Sequence, residues 1–307
     1  KGAFDGCTSL ITVTMLLGVN PLSENAFAHC TSLTKISLPS SVAQVEPNAL
    51  TGSTALKKIV VDVNNPYYTS VEGVLYELKY GDEFEPEQAK ELSKLAIYPQ
   101  SKTGEVLYIP PGVTEIKAAA VQNVSQLKKV AIPPTTTVFG DKCFEGTDLE
   151  IINYRCTTPS NEGTIGITTA LKSNTTLQVP VGTTSTYKAL SAWKGFKTIE
   201  EQYDVYSDDN FAYDWNSRDQ VTLIDIKSAA VDANGKVSLP NGITINGRSY
   251  VITELKNTAT AQVAQQVKTL KIGCDSLAVF DLTDDINPLA ALTELQAISI
   301  SANNPYF

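Results

Sequence analysis

The sequence has little of the chemistry on which most hydrolases and zinc proteins rely. Its 307 residues include one histidine, His29, one methionine and two tryptophans. Histidine is the side chain that exchanges a proton near neutral pH, so one copy disfavours histidine-based catalysis and a zinc site. We expect His29 to be an exposed turn residue, and we expect the protein to hold no cofactor or metal.

Positive charge and long apolar runs are also scarce. The chain has 24 Lys and Arg against 33 Asp and Glu, a net charge of −9 at pH 7. Nucleic-acid binding depends on basic side chains that neutralise phosphates, so this balance excludes it as an expected function. No apolar stretch approaches the roughly 18–20 residues that cross a bilayer. We therefore expect no transmembrane segment, and we interpret the chain, which begins inside a motif, as a mature fragment.

What the sequence does contain is a repeated motif. "AFDGCTSLITVTM" begins at Ala3, "AFAHCTSLTKISL" at Ala26 and "ALTGSTALKKIVV" at Ala49, with a spacing of 23 residues. "AVQNVSQLKKVAIP" at Ala120 and "CFEGTDLEIINY" at Cys143 have the same spacing. Fixed self-similarity of this length is typical of repeat architectures.

Each copy has two apolar parts that need a neighbour. Helix-like spacing comes first, followed by Leu-x-x-Ile-x-Leu, whose strand spacing often ends at a proline. Neither part can bury its apolar face alone, so successive copies are expected to stack about 4.8 Å apart. A period of 23 falls in the leucine-rich-repeat range. We predict a leucine-rich-repeat solenoid of the α/β class, β-rich, with short strands and short helical turns.

The sequence divides into two predicted domains. Residues 1–200 form a repeat array with a β-hairpin insertion at about 64–108, and residues 201–307 form a second β-rich segment. In that segment the turn signals Asn241-Gly242 and Asn246-Gly247 separate strands. "LAALTELQAISISANNPYF" near its end matches "LTGSTALKKIVVDVNNPYY", so we predict that it leads into another repeat array.

The wording of the repeats resembles the BspA-like leucine-rich repeats of bacterial surface proteins, of the Bacteroidetes type. The residues that carry this likeness are "AFAHCTSLTKISLPSSV", "NNPYYTSVEGVLY", "LAIYPQSKTGEVLYIPPGVTEI" and "LQVPVGTTSTYKALSAWKGFKTIEE". The resemblance covers residues 1–201 most closely. It implies an extracellular or outer-surface location and adhesion to host or bacterial surface macromolecules.

Tyrosines are the main candidates for a binding site. Nearly half of the chain's 13 tyrosines fall in the insertion, and tyrosine offers rigid contact area with a polar tip. A structural alternative is that they fill the insertion's own small core. The candidate ligand-binding residues are Tyr67, Tyr68, Tyr76, Tyr80 and Tyr98.

Other residue sets favour structural roles. Cys7 and Cys30 occupy the same position in neighbouring repeats and are expected to stack as buried apolar side chains, and Cys143 is also expected to be buried. The acidic run at 208–219 lacks calcium-loop spacing, which favours a solvated hairpin end. The strand positions predicted to point outward are Thr14, Ser37, Val60, Ala131, Lys271 and Ser299. A recurring lysine precedes the middle strand position and predicts an exposed ridge at Lys35, Lys58 and Lys129.

These features favour a non-enzymatic binding protein. An extended repeat surface without paired carboxylates can hold a macromolecule but has little with which to catalyse. The expected partners are host or bacterial surface proteins, possibly glycans. The alternative is a glycan-binding module that uses the tyrosines, and a carbohydrate-active enzyme with loop carboxylates is the third hypothesis.

Overall fold

The computed structural model describes most of the chain as two compact units, Lys1–Glu201 and Gln202–Phe307. The described residues are 1–46, 48–79, 91–160, 165–202, 204–215, 220–245, 247–256, 261–273, 279–280, 289 and 292–300. Strands dominate both units and helices are few and short, so the prediction of a β-rich repeat protein is confirmed. That the two units are independent domains stays a prediction.

The first unit consists of short strands, with two short helices between the last of them. The strands are β1 (Thr12–Thr14), β2 (Lys35–Leu38), β3 (Lys58–Val61), β4 (Tyr68–Val71), β5 (Val74–Leu78), β6 (Leu92–Ile97), β7 (Val106–Tyr108), β8 (Glu115–Ile116), β9 (Lys129–Ile132), β10 (Val138–Phe139), β11 (Ile151–Tyr154), β12 (Thr176–Val179) and β13 (Thr198–Glu201). The helices are α1 (Thr169–Asn174) and α2 (Thr184–Ala189), and a 3₁₀ turn follows at Ser191–Trp193.

Two parallel sheets carry the repeated strands. One has the order β1-β2-β3 and the other β13-β12-β11-β9-β7. In the first, Val13, Ile36 and Ile59 are in register, so the sequence period of 23 becomes the step from one strand to the next. Ile36 and Ile59 are fully buried. Their flanking residues face the other side because side chains alternate along a strand.

A second set of main-chain bonds joins the turn segments of neighbouring repeats, and we call it the turn ladder. In each described pair the earlier repeat donates N–H groups to carbonyls of the later one over 2.8–3.0 Å. The pairs are Gly2–Glu24, Phe4–Ala26, Gly6–Ala28, Phe27–Ala49, His29–Thr51, Ala119–Asp141, Val121–Cys143 and Asn123–Glu145. The Phe4 and Phe27 rings stack 5.0 Å apart at 7°, so equivalent positions of adjacent repeats lie at equivalent levels.

The insertion forms the predicted hairpin and interrupts the repeat. β4 and β5 pair antiparallel, and they extend a five-stranded sheet of order β10-β8-β6-β5-β4. The hairpin tip reaches β3, where Gly73 O accepts the Ile59 N–H over 2.9 Å. The tip therefore takes a hydrogen bond that a following parallel strand would make.

An aromatic cluster closes the end of the first unit. Trp193 is buried and stacks on Tyr154 at 4.9 Å, while Tyr187 and Phe139 meet its ring edge-on at 5.3 and 5.6 Å. The Trp193 Nε1–H donates to Ser160 O over 3.1 Å. The indole thus covers the apolar end of the core and satisfies its own polar atom.

The second unit contains a mixed sheet and a short parallel ladder. Its strands are β14 (Tyr206–Ser207), β15 (Phe211–Trp215), β16 (Gln220–Ile226), β17 (Lys236–Leu239), β18 (Gly242–Ile245), β19 (Arg248–Leu255), β20 (Thr269–Ile272), β21 (Val279–Phe280) and β22 (Ala297–Ile300). A 3₁₀ turn lies at Ser228–Ala230, and α3 spans Ala261–Ala264. The mixed sheet has the order β14-β15-β16-β19-β18, with β21 beside β19, and the ladder has the order β17-β20-β22.

Asn65 fixes the corner where the insertion leaves the repeat. Its side chain is fully buried, and its Nδ2 donates to Pro39 O and Val42 O, both over 2.9 Å. Its Oδ1 accepts the N–H groups of Tyr67 and Tyr68 over 2.8 Å. One amide therefore satisfies four main-chain groups from two neighbouring repeats.

We expect Asn65→Ala to lower the free energy of unfolding by about 4 kcal/mol, because it leaves several buried main-chain groups without a partner. Urea unfolding followed by circular dichroism measures the change. Asn64→Ala is the matched control: Asn64 is the exposed neighbour, and its truncation should stay within about 0.5 kcal/mol. Equal effects of the two substitutions would contradict the role given to Asn65.

Candidate functional site

The tyrosines of the insertion lie mostly in the core. Tyr68, Tyr76 and Tyr98 are only 5%, 2% and 3% exposed, and Tyr67 is half-buried. Tyr80 lies outside the described residues. This burial supports the structural alternative for three of the five candidates, and a ligand-binding role for the set stays a prediction.

Tyr68 and Tyr98 are structural residues of the repeat, and each makes a hydrogen bond to the main chain of a neighbouring segment. The Tyr68 hydroxyl oxygen accepts the Val45 N–H over 3.0 Å, and Tyr98 donates its N–H to Ala120 O over 2.7 Å. Burial raises the pKa of both phenols to about 12, with Glu72 adding to the effect at Tyr98. Both side chains are therefore neutral, packed parts of the fold.

An open groove lies beside Tyr98, where the insertion interrupts the turn ladder. Three segments line it, within residues 50–56, 96–100 and 118–122, and it encloses about 40 Å³. None of these three segments contains a charged residue, although the chain carries a net charge of −9. The groove is thus a neutral recess in an acidic protein.

The outward side of the three-stranded sheet is a regular exposed surface of the repeat. We call it the outer strand face, and it consists of Thr12, Thr14, Lys35, Ser37, Lys58 and Val60, which are exposed or half-buried. Strand pairing sets Thr12, Lys35 and Lys58 side by side, and likewise Thr14, Ser37 and Val60. Lys271 and Ser299 are also exposed on the second unit's ladder.

Two predicted surface positions need correction or qualification. Ala131 is fully buried, because its methyl lies between the larger side chains of Tyr108 and Asn153 on the adjacent strands. Lys129 is half-buried and belongs to the five-stranded parallel sheet, so it does not continue the ridge of Lys35 and Lys58.

The cysteine predictions hold at two of the three sites. Cys30 and Cys143 are fully buried, and the Cys30 thiol donates to Phe4 O over 3.1 Å. Cys7 is exposed, which corrects the expectation for that residue: it lies in the first repeat of the described chain, and Cys30 covers it from one side only. Cys7, Cys30, Cys143 and Cys156 are all free thiols.

The polar candidates adopt ordinary turn structures. His29 is exposed with a φ of 54°, as predicted, and its Nδ1 lies 2.9 Å from Asp5 Oδ1. In the acidic run, Asp208 caps the hairpin between β14 and β15 by accepting the N–H groups of Asn210 and Phe211 over 2.8 Å. Both arrangements shape turns.

The described part of the chain contains neither a cluster of metal ligands nor a membrane-spanning helix. No group of three His, Cys, Asp or Glu side chains there converges as a metal site would. Among the helices of those residues, none has the length and hydropathy to span a bilayer.

The groove and Asn65 were not among the residues nominated from sequence. The "NNPY" motif, which occurs twice in the sequence, was a signal for Asn65. The groove had no signal of its own, because its three segments lie far apart in sequence.

A family model described as a BspA-type leucine-rich repeat region matches the chain in six copies, over residues 1–72 and 86–169. These ranges cover slightly more than half of the chain, and they confirm the resemblance. No curated protein matches the chain significantly.

Several solved structures are similar to the chain at low identity. One is a leucine-rich cell surface protein from Faecalibacterium prausnitzii A2-165, with 17% identity and a TM-score of 0.36 over 98% of this chain and 62% of that one. The pneumococcal vaccine antigen PcpA has 14% identity and a TM-score of 0.39, over 95% and 68%. A leucine-rich repeat protein from Bacteroides ovatus ATCC 8483 has 14% and 0.34, over 98% and 63%. The chain thus spans 62–68% of the length of these three proteins.

The buried phenols predict a loss of stability in alkali. Their folded-state pKa of about 12 exceeds the value of about 10 in an unfolded chain. The stabilisation is therefore complete below pH 10 and falls as pH rises from 10 to 12, by about 1.4 kcal/mol per tyrosine at pH 11. Between pH 8 and pH 11, the free energy of unfolding measured in urea should fall by about 1.4 kcal/mol less in Tyr98→Phe than in the unsubstituted protein. Equal losses would show that Tyr98 titrates normally in the fold.

Proposed function

The chain belongs to the BspA-type leucine-rich repeat family, and from that premise we propose that it is a non-enzymatic binding protein. Its site of action is the cell surface or the extracellular space. The repeats of residues 1–201 form a solenoid, in which each repeat contacts mainly its two neighbours. The role of such a scaffold is to present a rigid surface to a macromolecular partner.

The observation that carries the proposal is the outer strand face. Its six side chains lie in two rows set by strand register, and they combine hydroxyls, two ammonium groups and one apolar side chain. Surfaces of this mixed composition suit protein recognition, in which apolar contact supplies affinity and charge supplies orientation. The partners we propose are host or bacterial surface proteins, and the role is adhesion.

The composition of the face also supports a non-enzymatic role. Acid–base catalysis on a glycan requires two carboxyl groups about 5–10 Å apart. The outer strand face carries none among its six residues. Its hydroxyl and ammonium groups can donate hydrogen bonds to a partner but cannot form such a pair.

Glycan binding has weaker support than protein binding. Stacking on a sugar ring needs an accessible aromatic face, and Tyr68, Tyr76 and Tyr98 are buried. Among the described candidates, Tyr67 is the one with substantial exposure. A glycan partner therefore serves as the competing outcome of the experiment below.

The test is binding of the purified chain to a panel of immobilised extracellular matrix proteins and to a glycan array. We expect binding to at least one matrix protein. The double variant Lys35→Glu/Lys58→Glu should weaken it at least about tenfold, because it reverses both charges of the ridge. Raising the salt concentration from about 0.05 to 0.5 M should also weaken binding, since exposed charges are screened.

The matched control is Lys194→Glu/Lys197→Glu, which makes the same charge change at two exposed lysines remote in sequence from the sheet. It should leave binding within about twofold. Equal loss in both double variants would contradict the assignment to the outer strand face. Binding to glycans alone, abolished by Tyr67→Ala, would replace the proposal by the glycan-binding alternative.

A further inference from the structure

The two lysines of the outer strand face lack a carboxylate partner. Neither Lys35 nor Lys58 belongs to an ion pair in the part of the chain that the structure describes. Even Glu72, in the hairpin tip beside β3, has another partner, because its carboxylate lies 3.9 Å from Lys102 Nζ. In a chain with a net charge of −9, two neighbouring ammonium groups without counterions favour an acidic partner.

An apolar rim borders the same face where its strands end. We give this name to Leu16, Leu17 and Val63, which are 77%, 74% and 83% exposed. No other large apolar side chain among the described residues is as exposed. Single exposed apolar residues are ordinary, but exposed apolar side chains that cluster at one place mark interaction surfaces.

The rim follows the register of the sheet. Leu17 and Val63 are 46 residues apart in sequence, which is two repeats. The Met15 N–H donates to Ser37 O over 3.1 Å and the Asp62 N–H donates to Leu38 O over 2.9 Å, so the stacking of the three strands continues toward the rim. At about 4.8 Å per strand, the two rim positions lie about 10 Å apart.

The outer strand face and the rim together have a charged side and an apolar side. Lys35 and Lys58 begin their strands, and the rim follows the strand ends. Val60, which is 37% exposed, lies two residues after Lys58 in β3, a separation of about 7 Å. One partner segment can therefore contact the ammonium groups and the apolar side chains at the same time.

The spacing of the lysines suits a helical partner. Lys35 and Lys58 are paired across adjacent strands, so their main chains are about 4.8 Å apart. Side chains four residues apart on a helix are separated by about 5–6 Å. A helix that lies across the strands thus places successive carboxylates over successive lysines, and a neighbouring stripe of apolar side chains over Val60 and the rim.

We infer that the outer strand face and the apolar rim together bind an acidic amphipathic helix of a partner protein. Carboxylates of that helix pair with Lys35 and Lys58, and its apolar side chains cover Val60, Leu17 and Val63. This inference rests on the proposed function, and it names the chemistry of the partner and adds the rim to the contact.

The probe is the acetylated and amidated peptide ELAAELAAELAAELA, whose helix carries a stripe of glutamates beside a stripe of leucines. Its binding to the full chain is followed by fluorescence anisotropy of the labelled peptide. We expect saturable binding at concentrations up to about 1 mM. A peptide with Gln for every Glu, and another with Ser for every Leu, should each bind at least about fivefold more weakly.

Lys35→Glu/Lys58→Glu tests the charged side. It should weaken binding of the acidic peptide at least about tenfold, because it replaces attraction by repulsion. Lys194→Glu/Lys197→Glu is the matched control: these two lysines are exposed and likewise belong to no ion pair in the described chain. Binding by the control should stay within about twofold of the unsubstituted protein.

Leu17→Ser/Val63→Ser tests the apolar side. Because both side chains are exposed, their truncation leaves the core filled, and binding of the peptide should fall at least about fivefold. Val138→Ser/Val181→Ser, at two exposed valines outside the rim, should leave binding within about twofold. Circular dichroism and urea unfolding check that all variants are folded.

Three results would overturn the inference. They are absence of peptide binding, equal binding of the Gln-substituted peptide, and unchanged binding after Leu17→Ser/Val63→Ser. The last result, together with equally tight binding of heparin, would make the surface a general anion site. If a matrix protein binds through Lys35 and Lys58 but the peptide does not bind, the proposed function stands and the helix site fails. If the peptide binds and no matrix protein does, the reverse holds.

Discussion

Main-chain hydrogen bonding between repeats is the constraint on which the first unit depends. Its repeated strands are two to four residues long, too short to be stable without neighbours on both sides. Outside the insertion, the turn segments of the turn ladder likewise donate their N–H groups to the next repeat. A change in the 23-residue spacing would misalign strands and turns together, because the strand and the turn of a repeat are both bonded to the same neighbouring repeat.

The insertion shows how a repeat fold accommodates extra chain. Two added strands enter one sheet, while the hairpin tip at Gly73 and the Asn65 side chain provide bonds that a regular repeat would have made. The groove is the part of the interruption that remains unfilled.

Most of the repeated architecture could be predicted from the sequence, because period and apolar spacing are local properties. Strands beginning at Lys35, Lys58 and Lys129 follow the predicted pattern, and the hairpin lies inside the predicted insertion. The predictions that Cys7 is buried and that Ala131 is exposed were wrong, for opposite reasons. Cys7 has its expected position but too few neighbours to bury it, whereas Ala131 points outward and is covered by larger side chains on adjacent strands.

The sites were less predictable because they arise from contacts between distant segments. The tyrosines were counted by their position in the insertion, and sequence spacing does not tell which of them turn inward. Asn65 stabilises the fold because its side chain donates hydrogen bonds to residues 23 and 26 positions earlier in the sequence. The groove exists only because residues 50–56, 96–100 and 118–122 meet.

The Trp193 cluster limits how such a protein can change length during evolution. The indole contacts the rings of Tyr154, Tyr187 and Phe139, which come from different repeats and from α2. Duplication or deletion of a whole 23-residue unit before this cluster would leave the same surface facing the indole. The indole would then still cover the apolar end of the core. A unit added between Tyr154 and Trp193 would separate the rings and expose the apolar end of the core. New units are therefore expected to accumulate upstream of the Trp193 cluster.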